Sequence, residues 1–222
     1  MLLENKNAII YGAGGSAEVA VLDALDERAV DEHTGDVVSK AGSIDISFNL
    51  VTRGDVQGIP LIEMTADDLL RAVVNGLRSN FITARAAARH MVEQGSGVIL
   101  ALDSGSANGS PMMGSTGPAD AATDILVRNL AAEIGPRGVR VVGIWTAGLP
   151  ETFSKEKIAA VDRRFQEEAA FQGLLESLDQ MRMTRRSPRL DEVAATATFL
   201  ASEKAAAITG TFVNVTSGMF TS

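Results

Sequence analysis

Short apolar runs alternate with longer amphipathic stretches along this chain of 222 residues, and that alternation constrains its fold more than any other feature. The runs fall at Ala8 to Tyr11, Ile44 to Val51, Gly97 to Leu102, Val139 to Trp145 and Thr211 to Val215, each bounded by Gly, Ser, Asn or Asp. Helical periodicity fills Asp26 to Lys40, Thr65 to Gln94, Pro118 to Gly135, Lys155 to Met183 and Asp191 to Ser202. Strands apolar on both sides must be covered on both faces. The pattern therefore predicts an α/β chain, with a mostly parallel sheet as the middle layer of an α/β/α sandwich. Helix ends are legible too: Thr65 ahead of Asp67 and Asp68 predicts an N-cap with an acidic first turn, and Gly135-Pro136 predicts a stop.

Composition narrows the function classes. With 45% hydrophobic residues, 21 glycines and 6 prolines, the chain can bury a full core, which predicts one domain over residues 1–222. A formal charge of −8 disfavours nucleic acid and anionic membrane as partners, because both need a basic face. With no cysteine there is no disulfide, thiolate chemistry or cysteine-held zinc, and no His and carboxylate spacing suggests a metal. The N-terminal MLLENKNAIIYG has no basic or long apolar segment, so the expected location is the cytoplasm.

In a doubly wound sheet, ligands sit beyond the carboxyl ends of the strands where the strand order reverses. The first such end carries Gly12-Ala13-Gly14-Gly15-Ser16 after Ile9-Ile10-Tyr11, a turn whose backbone N–H groups suit a pyrophosphate or merely a tight connection. Further along come Asp45-Ile46-Ser47-Phe48-Asn49, Val74-Asn75 within a helical stretch, and Ser104 at the end of VILALDS. LAAEIGPRGVRVVGIW, AGLPET and FLASEKAAAITGTFVNVTSG follow. In this order the segments resemble the short-chain dehydrogenase/reductase family from residue 6 to 218. The resemblance implies a Rossmann-like fold, NAD or NADP as cofactor, hydride transfer to or from a small-molecule carbonyl or alcohol substrate, and a homodimer or homotetramer. It also implies roles. Gly12 matches the first glycine of the family's TGxxxGIG turn, and Ser16 stands at the second. Asp23 looks like the acidic residue near the adenine, and Asn49 matches the first Asn of NNAG, followed here by Leu50, Val51 and Thr52. Asn75 matches the asparagine that holds a water, and Ser104 the serine that bonds the substrate oxygen. Ala147-Gly148 replaces Pro-Gly, and Thr152 matches the threonine on the nicotinamide carboxamide.

Two departures stand against these matches. The family's Tyr-x-x-x-Lys falls on Thr116-Gly117-Pro118-Ala119-Asp120, so both members of the proton-moving pair are replaced. A threonine hydroxyl does not ionise near neutrality as a lysine-flanked phenol does. An aspartate in place of the lysine reverses the field; at about 6 Å and an effective dielectric near 20, one unit charge is worth roughly 3 kcal/mol. Pro118 suits a helix's first turn. The second departure is length: ten residues separate Gly12 from Asp23, where the family fits a helix, a strand and another helix. The apparent junction falls between Ser16 and Ala17. Residues are absent from the sequence there, or Ser16 caps one long helix through Ala41, or Glu18 to Leu22 stays a strand at a rearranged edge.

Other residues are read more plainly. His33, among acidic neighbours, is a solvated side chain, and His90 suits a helix C-terminus. Asp103, beside Ser104, reads as a structural acid rather than a base. Trp145, Met112 and Met113 flank the expected nicotinamide position and serve either substrate contact or packing. Lys155 to Met183 predicts a helical flap over a substrate pocket or an interface helix. Two functions follow: an oxidoreductase whose proton comes from Ser104, a water held by Asn75 or the substrate, and a catalytically silent dinucleotide-binding or scaffold protein.

Overall fold

The structure, a computed structural model, describes residues 2–12 and 18–221. Five parallel strands form one sheet in sequence order: β1 (Ala8–Tyr11), β2 (Ile46–Asn49), β3 (Gly97–Asp103), β4 (Val139–Trp145) and β5 (Phe212–Asn214). Between them lie α1 (Glu27–Ala41), α2 (Ala66–Gln94), α3 (Thr116–Ile134), and then α4 (Lys155–Val161), α5 (Glu168–Met181) and α6 (Leu190–Ala201) ahead of β5. One sheet face, with Ile9, Tyr11, Ile99 and Val141, packs against Val30 of α1, Ile82 and Met91 of α2 and Val127 of α3. The other, with Ile46, Phe48, Leu100, Val142 and Ile144, packs against Val193 and Leu200 of α6. This is the expected three-layer α/β/α sandwich of Rossmann type. The run of Ala84, Ala86, Ala87 and Ala88 lets α2 lie close in that core.

Thr65 caps α2 by accepting from the Asp68 N–H at 3.1 Å, and α3 ends at Ile134, ahead of Gly135-Pro136. Three expectations need correction. The strand order does not reverse among the described residues, so the sheet has no switch point there. Strand β1 is an outer strand paired only to β2, because too few residues follow Gly12 for a crossover and another parallel strand. No long helix runs to Ala41 from Ser16: α1 begins at Glu27, where the Asp26 carboxylate accepts from the Arg28 and Ala29 N–H groups, and Glu18 to Leu22 forms no strand. The Ser16-Ala17 junction itself lies outside the described residues. Finally, the amphipathic stretch from Lys155 to Met183 is two helices, because Asp162 accepts from Arg164 N–H and starts a separate turn.

Gly143 sits where the Phe212 ring, stacked on Trp145 at 5.7 Å between centroids, fills the space a Cβ would take. Gly143→Ala is expected to destabilise by about 1–3 kcal/mol, the usual effect of overpacking, as read from the midpoint of urea unfolding. On its outer face α2 carries Leu70, Val74, Leu77 and Phe81, each 37–53% exposed and spaced four, three and four residues apart, which makes one apolar stripe.

Candidate functional site

Strands β1, β2, β3 and β4 end at Tyr11, Asn49, Asp103 and Trp145, and parallel pairing brings these ends to one edge of the sheet. The N-terminus of α3 faces the same edge. Its N-cap, Ser115, makes no capping bond to the helix. Its hydroxyl instead accepts from Val56 N–H at 2.9 Å, and its own N–H donates to the Val56 carbonyl at 3.2 Å. Thr116 and Asp120 are therefore covered by the segment that follows β2, at 3% and 0% exposure.

Asp120 is the hub. Its Oδ1 accepts from Arg53 Nη1 at 2.7 Å, and its Oδ2 accepts from the Ser104 hydroxyl at 2.6 Å, Ser106 N–H at 2.9 Å and Ser104 N–H at 3.2 Å. Arg53 also grips Asp55 with two donors, Nη2 at 2.8 Å and Nε at 3.3 Å. Thr116 donates its hydroxyl to Asp55 at 2.9 Å and accepts from Gln57 Nε2 at 2.9 Å, while Asn75 Nδ2 donates to the Arg53 carbonyl at 3.3 Å. All four residues expected at the catalytic centre, Ser104, Asn75, Thr116 and Asp120, thus belong to one network joined by Arg53 and Asp55. Burial alone would lower the Arg53 pKa, but Asp55 and Asp120 together outweigh it and hold it above its ordinary value.

This geometry corrects the expected field reversal. Asp120 does not present a bare negative charge, because a guanidinium lies against it. It also fixes what Ser104 can do. A serine hydroxyl has one proton, and Ser104 gives it to Asp120, so the 2.7 Å contact with Ser106 is one in which Ser106 donates. The Ser104 proton points into the protein rather than toward a ligand.

Behind this network Asp103 lies 5% exposed, with Oδ1 accepting from Gly105 N–H at 3.0 Å and Oδ2 accepting no bond from a protein donor. Its pKa is pushed up to about 9, first by burial and then by the negative charges of Asp120 and Asp124. Burial raises Asp124 as well, against the Trp145 indole N–H that donates to it at 3.3 Å. Asp103 is thus a neutral acid near pH 7, placed against the Asp124 carboxylate.

The residues expected around a cofactor do not converge in the same way. Asn49 donates to Thr83 at 3.2 Å and accepts from Val51 N–H at 2.8 Å, so its side chain shapes the turn after β2. Gly12 has φ +77° and would bring an added Cβ to 2.7 Å from the Leu50 carbonyl oxygen. Asp23 accepts from Leu25 N–H at 2.9 Å and lines an open surface depression with Asp26, Asp31 and Arg78. Thr152 donates to the Leu149 carbonyl at 2.9 Å. Ser16 lies outside the described residues. Gly148, at φ +61°, is held by Arg182, a 1% exposed side chain that donates to the carbonyls of Ala147, Gly148, Leu178 and Thr216 and to the Ser187 hydroxyl. Arg53, Asp55, Ser106 and Arg182 escaped the sequence reading. The one signal for Arg53 was logical: an aspartate in a lysine's place asks for a cation, and an arginine follows the altered NNAG stretch.

A family model described as enoyl-(acyl carrier protein) reductase matches residues 4–220. The chain belongs to the short-chain dehydrogenase/reductase family. Among its relatives, the L-rhamnose 1-dehydrogenase (NAD(P)(+)) of Azotobacter vinelandii is 29% identical over 218 residues, 95% of this chain and 78% of that protein. Tropinone reductase-like 1 of Erythroxylum coca is 31% identical over 209 residues, 91% of this chain and 72% of that protein. The crystal structure of gox2181 superposes with a TM-score of 0.74 at 25% identity, covering 90% of this chain and 74% of that one.

Membership raises the question of whether a nicotinamide dinucleotide fits. Gly148 and Thr152, expected beside the nicotinamide, are positioned by Arg182 and Leu149. At the expected adenosine side, β1 has no outer neighbour among the described residues and Asp23 faces a surface depression. The turn from Ala13 to Ser16, which the resemblance places at the pyrophosphate, lies outside the described residues.

Proposed function

We propose that this chain is a catalytically silent member of its family, a scaffold acting by self-association rather than by hydride transfer. One observation carries the reading: Thr116 and Asp120, at the proton-moving positions, are covered by residues 53–57, and the Ser104 proton is committed to Asp120. Thr116 gives its hydroxyl proton to Asp55 and Ser104 gives its own to Asp120, so neither hydroxyl is placed to protonate an alkoxide. The expected result with NADH or NADPH and a broad panel of carbonyl compounds is no oxidation of the nucleotide above background. Titration of either nucleotide should leave the fluorescence of Trp145, the one tryptophan and a residue at the end of β4, unchanged at micromolar concentrations. Turnover that disappears in Ser104→Ala would overturn the proposal.

A second reading, a slow NAD(P)-dependent oxidoreductase acting on a small carbonyl or alcohol, is favoured by the retained Ser104, Gly148 and Thr152 and by relatives named as dehydrogenases and reductases. An intact mass of 23.3 kDa would confirm that no segment intervenes at the Ser16-Ala17 junction and would count against this reading; a mass about 4 kDa larger, the weight of a missing helix-strand-helix insert, would favour it.

Self-association is assigned to the outer face of α2. Leu70, Val74, Leu77 and Phe81 form a stripe suited to an antiparallel copy of itself. Phe81→Glu is expected to turn a dimer or tetramer into a monomer by light scattering, with the circular dichroism spectrum unchanged. No helix among the described residues is long and apolar enough to cross a membrane.

A further inference from the structure

Residues 54–58 cross the reaction end of the sheet between two glycines in the left-handed region, Gly54 at φ +78° and Gly58 at φ +76°. Val56 exchanges two hydrogen bonds with Ser115, Gln57 N–H donates to the Val161 carbonyl at 3.0 Å, and Gly58 N–H donates to the Met112 carbonyl at 2.8 Å. No residue from 52 to 60 is fully buried, whereas Ser115, Thr116 and Asp120 beneath them are. The segment covers polar groups and places no side chain in the apolar core. A segment of this kind, held by polar bonds and free of core contacts, opens at far lower free energy than the sheet it lies on.

We propose that residues 54–58 are a strap latched over the reaction end by the Arg53 ion pair with Asp120, able to swing about Gly54 and Gly58 and expose Thr116 and Asp120 while the sheet stays folded. Arg53 is the latch because it ties the strap's base to the hub by ion pairs, gripping Asp55 within the segment and Asp120 on α3, beside the Thr116 bonds with Asp55 and Gln57. Its stem crosses Gly76 of α2, where an added Cβ would come within 2.6 Å of Arg53 Cδ. The strap stands apart from the silent reading, since a protein with turnover can carry it and a silent one can lack it.

Amide hydrogen exchange tests this on the full chain without any ligand. In Asp120→Asn, the Val56, Gln57, Gly58 and Ser115 amides are expected to lose protection together, by ten-fold or more, while the amides of β3 and β4 keep theirs. Gly114→Ala provides a steric route to the same state, because an added Cβ at Gly114, φ +51°, runs into the Val56 carbonyl. It should release the same four amides, and it decides the matter if Asp120→Asn does not fold. The proposal is overturned if the four amides stay within two-fold of the wild type in the folded variants, or if they exchange only together with β3 and β4.

Discussion

Asp120→Ala is expected to destabilise the protein by about 3–5 kcal/mol, the range for removing one partner of a buried ion pair. Asp120 is 0% exposed and accepts four hydrogen bonds, so the alanine leaves Arg53 with Asp55 alone and strands the Ser104 and Ser106 N–H groups and the Ser104 hydroxyl. In a chain of this length each kcal/mol moves the melting temperature by roughly 2–4 °C, so calorimetry should show a drop of roughly 10 °C. The companion variant is more telling. Arg53→Met together with Asp120→Leu removes both charges of the pair, and part of the loss should return; the rest stays, because Asp55 loses the guanidinium and the Ser104 and Ser106 donors still lack an acceptor. A loss below about 1 kcal/mol for Asp120→Ala alone would mean that the site relaxes around the missing carboxylate and that the hub is not structural.

The second large effect is a stability that declines as pH rises. Asp103 has its folded-state pKa pushed up to about 9, against 3.8 for the free side chain. Between those values the folded protein keeps a proton that the unfolded chain releases. The folded state therefore binds more protons, and stability falls with pH by up to about 1.4 kcal/mol per pH unit. The benefit of the buried acid is fully present below the unfolded value and lost as pH rises toward about 9. Glu192 works in the opposite direction in a separate window: Arg186 holds its pKa down to about 2, so its contribution is lost only as pH falls toward that value. Urea midpoints measured at pH 5.5, 7 and 8.5 should decrease in that order. Asp103→Asn, which keeps the shape and cannot ionise, should flatten the decline and raise the midpoint at pH 8.5. A wild-type midpoint that is level or rising across this range would place the Asp103 proton elsewhere.

Much of the fold was legible because strands and helices announce themselves locally. β4 matches its apolar run residue for residue, and the Thr65 cap lies where a threonine ahead of two aspartates belongs. The misread parts depended on contacts between segments. Lys155 to Met183 keeps one apolar face throughout, yet Asp162 turns the chain in the middle, its carboxylate held by Arg164 and lying against Gly58. In the site, Thr116 and Asp120 were visible because a known motif supplied their positions. Arg53 was not, because its bond to Asp120 spans 67 residues and joins a loop to a helix. Asp55 was equally hidden, since its meaning comes from an arginine two residues away that folds back on it while reaching α3. Spacing rules describe neighbours along an element, and neither partner has that relation to the other.

The Arg53 guanidinium also sets the order in which this centre could change. Asp120→Lys would put an ammonium where Arg53 Nη1 now stands 2.7 Å from a carboxylate, two cations in one place. Thr116→Tyr would push a ring into the room taken by Asp55 and Gln57. The two substitutions that look like a direct route to a tyrosine and lysine pair are each opposed by residues elsewhere in the chain, the lysine by Arg53 and the tyrosine by Asp55 and Gln57. The arginine that neutralises Asp120 thereby acts as a ratchet: while it stands there, changes at positions 116 and 120 alone do not make a working tyrosine and lysine pair.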